Sequence, residues 1–467
     1  MKLKTENTVI YKFPFLLLAC IFSINIHAQC WKDISVGGYH CLAISDDGTL
    51  WAWGRNHFGQ LGDGTNNNKN LPVQIGSSSD WEQVSVGYYH SVAMKTDGTL
   101  WSWGYNFSGQ LGIGSEQDQI YPVQIDSSHD WKAVYAQNTF TVALKDDGSL
   151  WAWGDNFFGQ LGDGTYGNRN IPAMVGTDQD WIYFSTGYAQ VLAIKQNGTL
   201  WGWGYNQSGA LGIGTYSSHT NPIEIGTDTD WVKVSTFIYH SLGLKSDHTL
   251  WAWGSNSYAT LGTGSDESHL SPIKIDSLSR WIGFSAGAEH SAAIKSDSTL
   301  WIWGKNSFGE LGIGTYNTVF SPVLVDSTRN WQQVNTGGGT TFALKNDSSL
   351  FSWGWNQYGQ LANGMNETTN SPGKIICSLS SVEDEWLPET IIQVFPNPVE
   401  DKIHVEFSNI LTSPALFQII NCLGRPISTQ QEIPSDNVIE LPDLPVGIYL
   451  LTISVHHKRY SKILIKT

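Results

Sequence analysis

The chain has 467 residues, among them 22 Trp and 48 Gly, and carries a formal charge of −16. That charge excludes a nucleic-acid binder, which needs a basic surface to neutralise phosphates. Charged residues make up only 15% of the chain; this argues against a coiled coil or a disordered polyampholyte, and the Trp and Gly usage points to strands and tight turns.

The chain opens with a basic stretch (Lys2, Lys4, Lys12), then an apolar run from Phe13 to Ile26, then Ile26-His27-Ala28 before Gln29. This pattern predicts a secretory signal peptide over residues 1–28, cleaved after Ala28. Leu17-Leu18-Ala19-Cys20 offers a second reading, a lipoprotein box acylated on Cys20. The apolar residues that continue past Cys20 favour the first. The run is short for a membrane span, and no other stretch of the sequence is apolar enough to provide one.

Residues 29–378 repeat with a period of 50. Trp31, Trp53 and their equivalents recur in all seven copies; Trp51 recurs in six and is Phe351 in the last. These sets hold 20 of the 22 Trp, leaving Trp355 and Trp386. An aromatic at a fixed place in every unit is expected to pack against the neighbouring unit. Within a copy, His40–Ser45 predicts a strand, Asp47-Gly48 a hairpin turn and Thr49–Trp53 the return strand. A Gly-rich loop follows over 54–64, with further strands at Pro72–Ile75 and Trp81–Ser85. Four short strands repeated seven times predict an all-β, seven-bladed β-propeller, a ring without a long exposed edge.

The segment LWAWGRNHFGQLGDG (50–64) recurs as LWIWGKNSFGELGIG (300–314), and Gly54, Asn56, Leu61, Gly64 and Pro72 keep their places in every copy. With VGGYHCLAISDDG before it, the unit resembles the repeat of the RCC1 (regulator of chromosome condensation) family, whose members fold as seven-bladed propellers. The founding members act as nucleotide exchange factors for the GTPase Ran and bind chromatin. An exported chain whose propeller has 17 bases against 30 acids meets neither. Its unvarying 50-residue repeats also leave no inserted wedge to open a nucleotide site. A plant UV-B receptor of the family carries a Gly-Trp-Arg-His motif; the sequence here reads Gly37-Gly38-Tyr39-His40, which does not support photoreception. A secreted β-lactamase inhibitor with this fold is the analogue by compartment and suggests a face that binds protein.

No GxSxG elbow, HExxH, CxxC, phosphate loop or EF-hand ligand series stands out, so no catalytic residue, cofactor or metal is expected. His40, His90, His240 and His290 share one position and could pair across blades as metal ligands. Phe140, Gln190 and Thr340 at the same position fit a packing or hydrogen-bonding slot better. The repeated Asn56 is expected to serve its own turn, through unusual backbone angles and local hydrogen bonds.

The position directly after the repeated Trp-Gly varies freely: Arg55, Tyr105, Asp155, Tyr205, Ser255, Lys305 and Trp355. One such residue per blade forms a ring on one face. Phe58, Phe107, Phe158, Tyr258, Phe308 and Tyr358 lie nearby. Tyr, Trp and Arg are favoured interface anchors, so these seven are the candidate partner-binding residues, for an unidentified protein or, alternatively, a glycan or the substrate of an extracellular enzyme.

Four Cys follow the leader: Cys30, Cys41, Cys377 and Cys422. Cys377 takes the place of Ser77, and Cys30 that of Asp80. In a perfectly periodic ring these stand like i and i+3 of one turn, within about 7 Å between Cα atoms. A Cys30–Cys377 disulfide closing blade seven onto blade one is therefore predicted, worth about 2–4 kcal/mol. Cys41 reads as a buried thiol.

Residues 379–391 form an acidic linker with Glu383, Asp384, Glu385 and Glu389. Alternating apolar residues broken by Pro and Gly then predict a small antiparallel β-sandwich over 392–467. Its VFPNPVEDKI (394–403) and GIYLL (447–451) resemble the C-terminal sorting domain of the type IX secretion system of Bacteroidota. That resemblance implies contact with the secretion machinery, passage across the outer membrane, removal of the tail, and release or attachment at the cell surface.

Overall fold

The computed structural model describes residues 31–276 and 279–375, and most of the strand-bearing stretches between 392 and 466. Blade one consists of β1 (Trp31–Val36), β2 (His40–Ser45), β3 (Leu50–Gly54) and β4 (Lys69–Gln74), antiparallel in that order. The same four-strand sheet recurs six more times, the last from Trp331 to Lys374. The chain is a seven-bladed propeller followed by a strand-rich C-terminal region.

One grouping differs from the sequence reading. Trp81–Val86 pairs with the following His90–Lys95 strand, not with the strand before it. A tight turn joins 86 to 90, whereas the link from Gln74 to Trp81 is where the chain passes from one blade to the next. Period fixes the repeat length but not its phase, so the Trp81 strand opens blade two.

The first strand of each blade lines a central channel of about 440 Å³, with Tyr135 and Tyr183 among the lining residues. Serines on this strand knit the blades together: Ser35 Oγ accepts from Val86 N, Ser85 Oγ from Ala136 N and Ser235 Oγ from Ala286 N, at 2.8–3.1 Å.

The Trp sets have separate duties. Each Trp53-type indole is fully buried and donates to a carbonyl of the preceding blade, as Trp103 does to Gln60 O at 2.9 Å and Trp203 to Gln160 O at 3.0 Å. Gly62 is required beneath it. Its φ is +78°, and a Cβ there would meet Trp103 Nε1 at 2.7 Å, closer than real contacts allow. The Trp31-type and Trp51-type rings of blade two flank a lysine: Lys95 Nζ lies 4.9 Å from Trp81 and 5.0 Å from Trp101. Lys145, Lys195, Lys245, Lys295 and Lys345 repeat this cation–π arrangement, which is favourable when the ammonium is partly desolvated. Blade one has Ser45 there, bonded to Thr49 Oγ1 at 2.6 Å.

Noncovalent bonds close the ring. Trp53 Nε1 donates to Gln360 O at 2.8 Å, Asn70 Nδ2 to Gly364 O at 2.8 Å, and Gly364 N to Asn70 O at 2.9 Å. Cys30 and Cys377 lie outside the described residues. Cys41 is a buried free thiol, and burial pushes its pKa up.

In the C-terminal region, Ile392–Phe395, Lys402–Phe407 and Val438–Glu440 form one antiparallel sheet. Gln431–Glu432, Ala415–Asn421, Gly447–Val455 and Lys458–Lys466 form a second. Ile403, Val405, Phe417, Ile419, Ile439, Leu451 and Leu464 share one core. The GIYLL motif begins the long Gly447–Val455 strand.

Candidate binding face

The loop after β3 is built by Asn56, which is fully buried. Its Oδ1 accepts from Leu61 N at 2.9 Å, and its Nδ2 donates to Thr65 O at 2.8 Å. All seven equivalents bond the residue five places on in the same way. The hydrogen-bonding part of the expectation is what operates; none of these Asn has a positive φ. Asn56 thereby holds its neighbour at position 55, whose backbone N is tied to the loop before β2: Arg55 N donates to Tyr39 O at 3.0 Å and Tyr105 N to Tyr89 O at 2.9 Å. Positions 55 and 39 of every blade therefore stand side by side on one face.

All seven residues of the variable ring are half-buried, but the structure does not bring them all together. Arg55, Tyr105 and Trp355 join one aromatic cluster across blades seven, one and two. Tyr39 is its hub, with ring centroids 5.6 Å from Tyr89, 5.7 Å from Trp355 and 5.8 Å from Tyr358. Phe58 lies 4.8 Å from Tyr105 and 5.4 Å from Tyr89; Phe308 lies 5.8 Å from Trp355. The Arg55 guanidinium sits among Tyr39, Tyr89 and Tyr358, with Cζ 5.0–5.2 Å from each ring. Tyr205 belongs to a smaller group with Phe158, 4.8 Å away, and Phe157. Asp155 is taken up in its own loop, accepting from Gln160 Nε2 at 2.7 Å, and Ser255 bonds Ser257. Lys305 is paired with Glu289 and lies 5.1 Å from the Tyr258 ring.

The sequence reading missed the position-39 ring of Tyr39, Tyr89, Thr139, Ala189, Tyr239, Glu289 and Gly339. Its variation between copies was a usable signal, as free as that of position 55. It also missed Tyr88, whose ring packs against Tyr188 and Phe237, each 6.3 Å away. Burial pushes the Tyr39 and Tyr105 hydroxyls up, with neighbouring Tyr89 adding to both.

Glu310 occupies the slot filled by Gln60, Gln110, Gln160 and Gln360. It is buried, and its Oε2 accepts from Phe308 N at 2.6 Å. Burial pushes its pKa up to about 7. A carboxyl raised in the fold binds more protons than in the unfolded chain, so its ionisation costs stability as pH rises from 4.5 through 7. Glu310→Gln keeps the acceptor and removes the charge. The variant is expected to gain about 2–3 kcal/mol at pH 8 and nothing at pH 4, which urea unfolding at the two pH values checks.

The histidine position holds blades together. His40 Nε2 bonds Ser91 Oγ at 2.8 Å, His90 bonds Thr141 Oγ1 at 3.0 Å, His240 bonds Ser291 Oγ at 2.7 Å and His290 bonds Thr341 Oγ1 at 2.9 Å. Burial holds all four near pKa 3, so they are neutral bridges. Among the described residues, no group of three or more His, Cys, Asp or Glu is arranged to hold a metal.

The Regulator of chromosome condensation (RCC1) repeat model matches seven times without a gap of more than two residues, from 47–94 through 347–395. The chain belongs to the RCC1 repeat family. The Secretion system C-terminal sorting domain matches 393–467, and this tail marks the RCC1 propeller for export by type IX secretion to the cell surface or the extracellular space. Human WBSCR16 has a similar fold, with a TM-score of 0.63 at 20% identity over 70% of this chain and 93% of that one. So has Prp20p of Saccharomyces cerevisiae, at 0.61 and 21% identity over 68% and 84%. Among curated relatives, a bifunctional serine/threonine-protein kinase/NEDD4-like E3 ubiquitin-protein ligase of Dictyostelium discoideum is 48% identical over 48 residues, 10% of this chain. An X-linked retinitis pigmentosa GTPase regulator homolog of Caenorhabditis elegans is 48% identical over 40 residues, 9% of this chain. The matched stretches span 2% and 3% of those relatives' own lengths.

Proposed function

We propose that this chain is an exported, non-enzymatic protein-binding propeller. Residues 1–28 direct it through the inner membrane and the sorting tail through the outer one. The propeller, residues 29–378, then engages a protein partner through the face that carries positions 39 and 55. The linker over 379–391 separates it from the tail. The observation that carries this reading is the continuous cluster of Tyr39, Arg55, Tyr89, Tyr105, Trp355 and Tyr358, the residue types that dominate interface energetics. Phe107, stacked beside Tyr105, and Phe157 of the smaller Tyr205 group are 73% and 72% exposed, a cost in water that a partner would recover. Prp20p, of like fold, was described with its binding properties to Gsp1p and histones, so a propeller of this shape can hold proteins.

The test is affinity capture of surface and extracellular proteins on the mature chain, compared with Tyr105→Ala/Tyr205→Ala/Trp355→Ala. The triple variant is expected to lose at least tenfold in affinity for whatever the wild type retains. Undiminished capture rejects this face. A glycan remains the second reading, favoured by a cleft of about 560 Å³ on another part of the propeller, lined by Trp231, Trp251, Asp228, Glu224 and His219. Binding to a glycan array that Trp251→Ala abolishes and the triple variant leaves intact would select it.

A further inference from the structure

We infer that Arg55 is a carboxylate anchor: the partner of this face presents an isolated Asp or Glu side chain, flanked by apolar residues, to the guanidinium held among Tyr39, Tyr89 and Tyr358. This rests on the protein-binding reading above and specifies the chemistry of that partner.

The propeller has 30 acids and 17 bases, so its cations have carboxylates in excess to choose from. Among the described residues nine of them take one, including Lys69 with Asp63, Arg169 with Asp163 and Lys305 with Glu289. Cations without an ion pair among the described residues, such as Lys32, Lys132 and Lys233, stand exposed to water. Lys345 is half-buried but fills the inner Trp331–Phe351 slot. Arg55 is different: it is half-buried on the open face, yet has no ion-pair partner among the described residues. Its Nε donates to His57 Nδ1 at 3.2 Å. Neither terminal nitrogen has a hydrogen-bond partner among the described residues.

Three ring faces at 5.0–5.2 Å fix the guanidinium in place. They strip part of its water, and a ring face cannot take an N–H as a carboxylate oxygen does; among the described residues no tyrosine hydroxyl accepts from the guanidinium. The terminal N–H groups of a guanidinium match a carboxylate bidentately, and holding them in advance removes much of the ordering cost of binding. The apolar rim of Phe58, Tyr105 and Trp355 would exclude water from such a pair. A single cation argues for a carboxylate over a phosphate, which is taken by clusters of Arg. The overall negative charge of the propeller argues for one acid rather than an acidic run, which it would repel.

The probe is a random 12-residue peptide library displayed on phage, selected on the full mature protein. Enriched peptides are then measured by fluorescence anisotropy on wild type, Arg55→Ala, Arg55→Lys and Tyr105→Ala/Tyr205→Ala/Trp355→Ala, each confirmed as folded by circular dichroism. Peptides that the triple variant fails to bind are expected to share one Asp or Glu beside aromatic or aliphatic residues. Changing that acid to its amide should weaken binding about 10- to 100-fold on wild type and less than about twofold on Arg55→Ala. Arg55→Lys should recover only part of the loss, because an ammonium cannot bind bidentately.

Face-bound peptides that lack an acid overturn the inference and leave the protein-binding face standing. So does an amide effect that persists in Arg55→Ala. Phosphoserine in place of the acid binding tenfold tighter would make this a phosphate site and likewise overturn it. If the triple variant binds every peptide as wild type does, the face itself is wrong. An empty selection counts against both, since a 12-residue segment is long enough to span the cluster.

Discussion

Replacing His40, His90, His240 and His290 together by Gln is expected to remove most of the acid sensitivity of the fold. In the native propeller each imidazole is neutral, with a pKa near 3, against about 6.5 in an unfolded chain. Between those values the unfolded state binds more protons, so stability rises with pH and is lost as pH falls from 6.5 toward 3. Each histidine contributes a slope of about 1.4 kcal/mol per pH unit in that window, and four together about 5 kcal/mol per unit. Gln suits the slot: Gln190 fills it in blade four and reaches the next blade through Thr236 Oγ1 at 3.1 Å and Phe237 O at 2.9 Å. Guanidinium unfolding at pH 7.5 and pH 4.5 is the measurement. Wild type should lose far more than the variant; parallel losses would show that these histidines are not the acid switch.

The second large effect is expected at Asn206. Its Oδ1 accepts from Leu211 N at 2.9 Å, and its Nδ2 donates to Thr215 O at 2.8 Å and Ser217 O at 3.1 Å, all with the side chain fully buried. Asn206→Ala strands the buried Leu211 donor and takes the amide donor from the carbonyls of Thr215 and Ser217, two exposed residues of the same loop. A buried orphaned group costs about 1–3 kcal/mol, and water replaces part of the bonds lost at the two carbonyls, so a loss of about 2–3 kcal/mol is expected by urea unfolding. Asn206→Asp keeps the acceptor for Leu211 but turns a carboxylate toward two carbonyls, and should be at least as damaging. A loss below about 1 kcal/mol in Asn206→Ala would refute this account of the loop.

Much of the fold was legible in advance because the repeat is strict. Tryptophans on a 50-residue period must meet the same surroundings seven times, and a closed ring provides that. The blade phase was not legible, because periodicity is unchanged by sliding the window; the pairing of Trp81–Val86 with His90–Lys95 settles it. The same limit hid the lysine between two Trp rings, since Trp81 and Trp101 lie on different strands of one sheet and only pairing places Lys95 between them. The histidines carried a correct hint in their company, Phe140 and Gln190, but the hydroxyl each one meets lies 51 residues ahead, on the next blade.

The variable ring shows where sequence and structure divide. The sequence alone determined a seven-fold repeat, an export tail, and a freely varying position after the Trp-Gly of each copy. It could not tell that Arg55, Tyr105 and Trp355 cooperate while Asp155 and Ser255 are absorbed by their own loops. That depends on ring closure, which sets Tyr358 and Trp355 of the last blade against Tyr39 of the first. Residues some 300 positions apart become neighbours because seven sheets close a circle, and local patterning contains no term for that contact. The Trp count describes architecture. Arg55, half-buried on that face and without a carboxylate partner among the described residues, emerges only from the closed ring.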